Sequence, residues 1–222
     1  MGNLDVYIHE GTYTFTNSLI ETIRQNGKRG IRIGNNNNYY FDVHTSVVCI
    51  YTGTEYVDVA TYFSPFDTDN TGGNFEIHNL ILLAKNVLYG IHDEMNASTT
   101  PSHHKFINCY IVLDNSDAQS VSFDHAIGGG FGANCCIEHI NGVYESVSNT
   151  RNRDVSYHGN NSGDYARLIV TGCYFAHTLA FDTPVGINRK ELMLSNNSIA
   201  TDFQIETTPT LIVHKWNNDI RN

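Results

Sequence analysis

The chain has 222 residues, enough for one large all-β domain or two small ones with a sizeable core. Its 13 basic against 23 acidic residues give a formal charge of −10. This charge argues against nucleic acid and against an anionic membrane surface, because binding to either depends largely on Lys and Arg. A strongly anionic polysaccharide is disfavoured for the same reason, whereas neutral and zwitterionic glycans stay open.

Only one segment carries helix signals. In "TNSLIETIRQNG", Thr16 or Asn17 could cap a short helix near Ser18–Gln25 that Gly27 ends. Elsewhere, short β-branched and aromatic runs with period-two alternation are separated by Asn, Gly, Asp and Ser, which predicts strands and turns. The longest aliphatic run, Leu80 to Ala84, is too short to cross a bilayer, and the start of the chain shows no signal peptide. The sequence therefore predicts an all-β protein.

A spaced repeat dominates the chain from residue 75 onward. Five segments align, and their fifth position always carries a residue that tolerates positive φ: Asn79, Asn108, Asn141, Gly172 and Asn196. The third and eighth positions are large and apolar, with His139 as the one exception. The fifth positions are 29, 33, 31 and 24 residues apart, and a weaker sixth copy is anchored on Asn217. Two short strands joined by a one-residue turn describe a corner between two sheets.

The variable spacing favours a solenoid whose turns carry loops of different length, rather than a propeller or a leucine-rich repeat. A β-sandwich whose strands align by chance is the alternative, but it gives no reason for Asn to recur at one position. In a solenoid, like residues stack at a spacing of ~4.8 Å. Cys109 and Cys173 would then fill one inward row, and Asn197 would be an internal amide. His104 falls on the apolar side of its repeat and is expected in the core.

The segments "NFEIHNLIL", "FINCYI" and "VTGCYF" resemble coil corners of the pectin-lyase-like superfamily, and in particular of phage tailspike and related surface-glycan modules. "VYIHEGTYTF" is similar to the opening strand of such domains, although His9 and Glu10 stand where a proline is usual. The resemblance covers roughly residues 5 to 220. It implies a single-stranded right-handed parallel β-helix as one domain over residues 1–222, together with the short N-terminal helix. It also implies a homotrimer or a larger virion assembly, as in phage β-helix spikes.

The five cysteines are an odd number, and no secretory signal accompanies them. They are therefore expected to be reduced thiols: Cys49, Cys109, Cys135, Cys136 and Cys173. No motif marks any of them as a catalytic nucleophile. Most are expected to act as small buried hydrophobic side chains.

Three polar stretches follow three of the predicted corners: "YGIHDE", "SFDHAIGGGFG" and "VSYHGNNSGDY". Their histidines, His92, His125 and His158, are 33 residues apart, so stacking of the segments would form one wall. Such a wall would combine imidazoles, carboxylates and aromatic rings, an inventory that suits the hydroxyls and the CH faces of sugars. The candidate ligand-binding residues are His92, His125, Tyr157, His158 and Asn160.

Other interpretations of these stretches stay open. They could be solvated turns, since His92 lies 13 residues past its corner whereas His125 and His158 lie 17 past theirs. A zinc site lacks a paired-ligand motif such as HExxH, and the glycine run at Gly128 lacks the Lys and Ser/Thr of a phosphate loop. No metal or other cofactor is predicted, and the glycines are expected to pack closely against a loop or a ligand.

The preferred function is binding of a bacterial surface polysaccharide by a phage tail or tailspike-like β-helix, a receptor-binding or adhesion protein of the virion or of an extracellular surface. The alternative is a glycoside hydrolase or lyase. Hydrolysis would need two carboxylates ~5–5.5 Å apart for retention or ~6.5–9.5 Å apart for inversion. The candidate catalytic residues are Asp93, Glu94 and Asp124. A purely structural virion rod is the second alternative, and neither nucleic acid nor a membrane is an expected partner.

Overall fold

The structure is a computed structural model. It describes residues 3–7, 12–15, 31–34, 38–52, 66–69, 74–85, 89–94, 102–116, 125–131, 134–147, 152–159, 165–182, 189–206 and 209–221. The short helix predicted near Ser18–Gln25 lies outside these residues. None of the described residues belongs to a helix long and apolar enough to span a membrane.

Every regular element in the described part of the chain is a strand, which confirms the all-β prediction. The strands are β1 (Asn3–Tyr7), β2 (Thr12–Phe15), β3 (Ile31–Gly34), β4 (Asn38–Thr52), β5 (Phe66–Asp69), β6 (Asn74–Lys85), β7 (Tyr89–Glu94), β8 (Ser102–Ile107), β9 (Tyr110–Asp114), β10 (His125–Phe131), β11 (Cys135–Ile140), β12 (Val143–Val147), β13 (Val155–Gly159), β14 (Ala166–Thr171), β15 (Tyr174–Phe175), β16 (Leu179–Asp182), β17 (Lys190–Ser195), β18 (Ser198–Ile199), β19 (Gln204–Ile205), β20 (Leu211–Trp216) and β21 (Asp219–Ile220).

The strands form two sheets, and all their pairings are parallel. In the larger sheet the long strand β6 joins two arms. The first arm contains β8, β11, β14, β17 and β20, and the second arm contains β9, β12, β15, β18 and β21. The smaller sheet has seven strands in the order β19-β16-β13-β10-β7-β5-β3.

The chain visits the first arm, the second arm and the seven-stranded sheet in turn, so that three strands such as β11, β12 and β13 make one coil. Each coil pairs with the coil before it and the coil after it. This order of long parallel sheets is consistent with the predicted parallel β-helix.

The corners between the two arms lie at the predicted residues. All have positive φ: Asn79 (58°), Asn108 (54°), Asn141 (51°), Gly172 (66°), Asn196 (55°) and Asn217 (52°). The side chains of neighbouring corners stack, since Asn217 Nδ2 donates to Asn196 Oδ1 at 2.6 Å. At the one glycine, an added Cβ would lie 2.3 Å from Asn141 Oδ1, so the stacked amide occupies the space of a side chain. The recurrence of Asn thus reflects both the left-handed backbone and the amide stacking.

The core is a set of inward rows, one residue per coil. Cys109, Cys173 and Asn197 are buried in the row next to the corner, as the repeat predicts. Asn197 Oδ1 accepts from the Cys173 amide at 2.9 Å, and its Nδ2 donates to the Val170 carbonyl at 3.0 Å. The four cysteines whose side chains are described are free thiols. Burial raises the pKa of Cys109 and of Cys173 to about 12, so both remain protonated at neutral pH.

Candidate functional site

The stretch "YGIHDE" is strand β7, not a turn. It lies beside β10, which lies beside β13, so the three predicted polar segments are adjacent strands of the seven-stranded sheet. The histidines do not align within it. His92 is opposite Gly128, His125 is opposite Tyr89, and His158 is opposite Gly130. Equal spacing in sequence does not give equal register here, because the connections between the strands differ in length.

Two of these histidines belong to a packed cluster of rings. The Tyr89 ring stacks on His92 at a centroid distance of 5.0 Å and on His125 at 6.1 Å. The exposed fractions of His92 and His125 are only 8% and 2%. Gly128 makes room for this cluster, since a Cβ there would lie 2.3 Å from the Tyr89 ring. The glycine run is closely packed as predicted, but its neighbours are an aromatic ring and the backbone of strand β7 rather than a loop or a ligand.

Asp93 and Tyr157, which the sequence placed on an outer wall, both lie in the interior. Each side chain has an exposed fraction of 0%. Side chains alternate along a strand, and His158, which follows Tyr157, is exposed. Asp93 Oδ1 accepts a hydrogen bond from His104 Nδ1 at 2.6 Å, and Asp93 Oδ2 accepts one from the Tyr157 hydroxyl at 3.2 Å. His104 is buried, as its place in the repeat predicts.

The polar contacts continue from Tyr157 into the centre of the fold. His139 Nε2 is 2.9 Å from the Tyr157 hydroxyl, and His139 Nδ1 is 2.9 Å from the Tyr144 hydroxyl. Tyr157 donates its only proton to Asp93, so it must accept from His139, which fixes the proton of a neutral imidazole on Nε2. His139 Nδ1 then accepts from Tyr144. We call these five residues the buried polar chain: His104, Asp93, Tyr157, His139 and Tyr144.

Burial controls the protonation states along this chain. It lowers the pKa of His139 to about 4, although the charge of Asp93 acts in the opposite direction. It also raises the pKa of Tyr157 and of Tyr144 well above the usual value. The neutral imidazole and the two neutral phenols are the forms that the hydrogen bonds require. No member offers an open face to a large substrate, so the buried polar chain serves the core.

Gly129 allows this arrangement. It lies opposite Tyr157 in register, on strand β10, which separates β7 from β13. A Cβ on Gly129 would lie 1.9 Å from the Asp93 carbonyl oxygen. Without a side chain on the intervening strand, the Tyr157 hydroxyl reaches the Asp93 carboxylate two strands away.

Among the predicted site residues whose side chains the structure describes, His158 is the exposed one. It lies opposite Asp182 on the next strand, and the Asp182 carboxylate accepts a 3.4 Å bond from Arg153, which also donates to Gln204 at 2.7 Å. These groups form a polar patch on the outer side of the seven-stranded sheet.

The other predicted site residues are placed only in part. Glu94 lies opposite Asp69 in register, and its side chain is not described. Asp124 and Asn160 lie outside the described residues. The catalytic and ligand-binding roles assigned to this set stay predictions.

Sequence reasoning missed an exposed aromatic row on the second arm. Tyr110, Val143 and Tyr174 are register partners on three successive strands, and both tyrosines have an exposed fraction of 39%. The Arg221 guanidinium lies 4.1 Å from the Tyr174 ring centre and donates to its hydroxyl at 2.7 Å. The sequence did contain a signal for this row, because its residues occupy the seventh position of the repeat. Side chains alternate along a strand, so the seventh position faces outward when the eighth is buried. We call Tyr110, Val143 and Tyr174 the tyrosine row.

Comparison of the chain with known protein families, with curated proteins and with solved structures finds no match.

Proposed function

We propose that this protein is a right-handed parallel β-helix that binds a neutral or zwitterionic bacterial surface polysaccharide, in the manner of a phage tailspike. The tyrosine row is the observation that carries the proposal. Exposed tyrosine side chains suit a sugar-binding surface, because their rings stack on the CH faces of sugars while their hydroxyls bond to sugar hydroxyls.

The geometry of the row suits an extended chain. Tyr110 and Tyr174 lie two strands apart, a distance of ~9.6 Å at the usual strand spacing. The smaller Val143 between them leaves both rings accessible to one ligand. The Arg221 guanidinium holds the Tyr174 ring in place and adds hydrogen-bond donors at the same edge.

A second part of the proposed surface is the polar patch at His158. His158, Asp182 and Gln204 supply donors and acceptors that sugar hydroxyls can pair with. The formal charge of −10 agrees with a ligand that is not strongly anionic. Asp93, which lies in the core, is not part of this surface.

Assembly into a homotrimer or a larger virion structure belongs to the same proposal. The last described coil exposes apolar side chains, among them Val213, Trp216 and Ile220. Apolar side chains on an outermost coil are commonly covered by a further coil, a cap or another subunit, and the proposal takes the last of these. A location in a phage tail or on an extracellular surface follows from this proposal.

The test is a binding screen against purified capsular and cell-wall polysaccharides, followed by substitution of the tyrosine row. Tyr110→Ala and Tyr174→Ala should each weaken binding about 2- to 12-fold, the range that follows from ~0.5–1.5 kcal/mol per lost ring contact. Ile212→Ala, which removes an exposed apolar side chain from the first arm, is the matched control and should leave affinity unchanged.

Two further measurements on the same proteins separate the alternatives. Release of reducing ends would identify cleavage in addition to binding. If the tyrosine variants dissociate an oligomer in light scattering while each chain binds glycan as before, the row is a subunit interface and the proposed site is wrong.

A further inference from the structure

The outer side of the first arm carries three potential metal ligands on two neighbouring strands. His103 on β8 lies opposite Cys136 on β11, and Glu138 follows two residues after Cys136. Residues i and i+2 of a strand point to the same side, so Cys136 and Glu138 flank one spot that His103 faces from the adjacent strand. None of the three belongs to the inward rows of the core.

The three ligand atoms converge. His103 Nε2 is 2.5 Å from Glu138 Oε1, and His103, Cys136 and Glu138 offer ligand atoms that all lie within 4.8 Å of one another. All three residues are half-buried, which leaves the spot reachable from solvent. A tetrahedral zinc site has Zn–N and Zn–O distances of about 2.0–2.2 Å and a Zn–S distance of about 2.3 Å. The three ligand atoms therefore lie close enough together to be candidates for one shared ion.

We propose that His103, Cys136 and Glu138 bind a divalent zinc ion on the outer surface of the first arm. A set of one imidazole, one thiolate and one carboxylate favours zinc over magnesium or calcium, which prefer oxygen ligands alone. Three protein ligands leave one tetrahedral position for water or for an oxygen of a bound molecule. The inference does not rest on glycan binding.

The charges around the site are compatible with a cation. Two basic side chains lie nearby, but each is paired with its own carboxylate: Lys105 with Glu76 at 2.8 Å, and Arg167 with Glu191 at 2.7 Å. Neither basic side chain is therefore paired with Glu138, whose partner in the structure is His103.

The same face offers an internal control. His78 and Glu76 form a pair at 3.0 Å on β6, close in chemistry to the His103–Glu138 pair. The structure groups no thiol with them among the described residues. Glu76 is also bound by Lys105, so substitution of Cys136 is the comparison that isolates the thiol, and substitution of His78 tests only whether metal binds at this second pair.

The test titrates the metal-free, reduced protein with Co²⁺ and then displaces it with Zn²⁺. One equivalent of Co²⁺ should give a visible spectrum of tetrahedral intensity together with a thiolate-to-cobalt charge-transfer band. Cys136→Ser should abolish that band, and His103→Ala and Glu138→Gln should each weaken Zn²⁺ binding more than about tenfold in competition with a chromophoric chelator. His78→Ala should leave the spectrum and the affinity unchanged.

The proposal is overturned if the charge-transfer band persists in Cys136→Ser, or if His103→Ala binds Zn²⁺ as tightly as the unaltered chain. A further measurement uses the unaltered protein, so the test stays valid if a variant does not fold. Zn²⁺ should protect Cys136 from alkylation, as read by peptide mass spectrometry, and alkylation at an unchanged rate would also overturn the proposal.

Discussion

Two neighbouring coils place different chemistry at the same three inward positions. In the central coil the positions hold His139, Tyr144 and Tyr157, which belong to the buried polar chain. In the next coil their register partners are Val170, Phe175 and Phe181. All six side chains are fully buried. The same backbone positions therefore hold either polar or apolar side chains. The choice depends on whether a buried polar group nearby needs hydrogen bonds.

The polar residues of the central coil provide hydrogen bonds, directly or through one another, for one buried carboxylate, that of Asp93. Asp93 enters the interior from a preceding coil, and burial of a charge without hydrogen bonds would be costly. His104 and Tyr157 provide two of its bonds, and His139 and Tyr144 then satisfy the Tyr157 oxygen and the remaining imidazole nitrogen in turn. In the apolar coil the same three positions hold one aliphatic side chain and two rings, and none of these side chains bonds to a carboxylate. We infer that the polar coil fixes strand register, since a slip of one residue would break every bond of the chain.

The largest effect is expected in the apolar coil. Phe175→Ala should lower the free energy of unfolding by about 3–5 kcal/mol, because it leaves a cavity between Tyr144 and Phe203, whose rings Phe175 contacts. The measurement is the denaturant midpoint and slope by circular dichroism. Tyr110→Ala, an exposed aromatic on the same arm, should change stability by only about 0.5 kcal/mol. Equal losses in the two variants would contradict the assignment of Phe175 to the core.

This comparison also separates what the sequence could predict from what it could not. The corner residues and the inward rows recur once per coil, so Asn79 to Asn217 and the buried Phe175 follow from periodicity alone. Even the exception at His139 was visible, since a histidine stood in an apolar position. Its bond to Tyr157, and the bond from Tyr157 to Asp93, were not visible, because Tyr157 and Asp93 come from strands whose register depends on loops of unequal length.

The dependence of strand register on loop length also explains why the predicted outer wall is only partly present. The sequence correctly predicted that β7, β10 and β13 are neighbouring strands. It did not predict which residues of each strand face the core, because a shift of one residue exchanges the inner and outer sides of a strand. Asp93 and Tyr157 therefore lie inside, and His158 alone of the described histidines on these strands is exposed. The tyrosine row, by contrast, was within reach, because Tyr110 and Tyr174 occupy one position of the repeat.

The second prediction concerns the pH dependence of stability, which the central coil should influence through His139 and the next coil should not. The pKa of His139 is about 4 in the folded protein and 6.5 in an unperturbed imidazole. Between these values the unfolded state binds a proton that the folded state does not, so stability falls as pH falls from about 6.5 toward 4. The full loss is on the order of 3 kcal/mol. The check is the denaturant midpoint at pH 7 and at pH 4.5.

The control for this effect replaces the polar set with that of the next coil: His139→Val, Tyr144→Phe and Tyr157→Phe together. The triple variant should lose stability less steeply over the same pH range. His177, whose pKa is raised by its bond to Asp154, contributes with the opposite sign, since its stabilisation is lost as pH rises through the folded value. It is present in both proteins and cancels in the difference. Identical pH profiles would show that His139 does not titrate as a buried neutral group.

The smallest effect is expected from a single hydroxyl, Tyr157→Phe. The change preserves shape but removes one donor from Asp93 and the acceptor of His139 Nε2, and it should cost about 1–3 kcal/mol. Tyr144→Phe removes only a donor to His139 Nδ1 and should cost less. The triple variant should be no less stable at pH 7 than Tyr157→Phe, because it removes the other polar groups together with their partners. If Tyr157→Phe unfolds at the same denaturant concentration as the unaltered protein, the Tyr157 hydroxyl does not stabilise the fold. The buried polar chain is then not needed to satisfy Asp93.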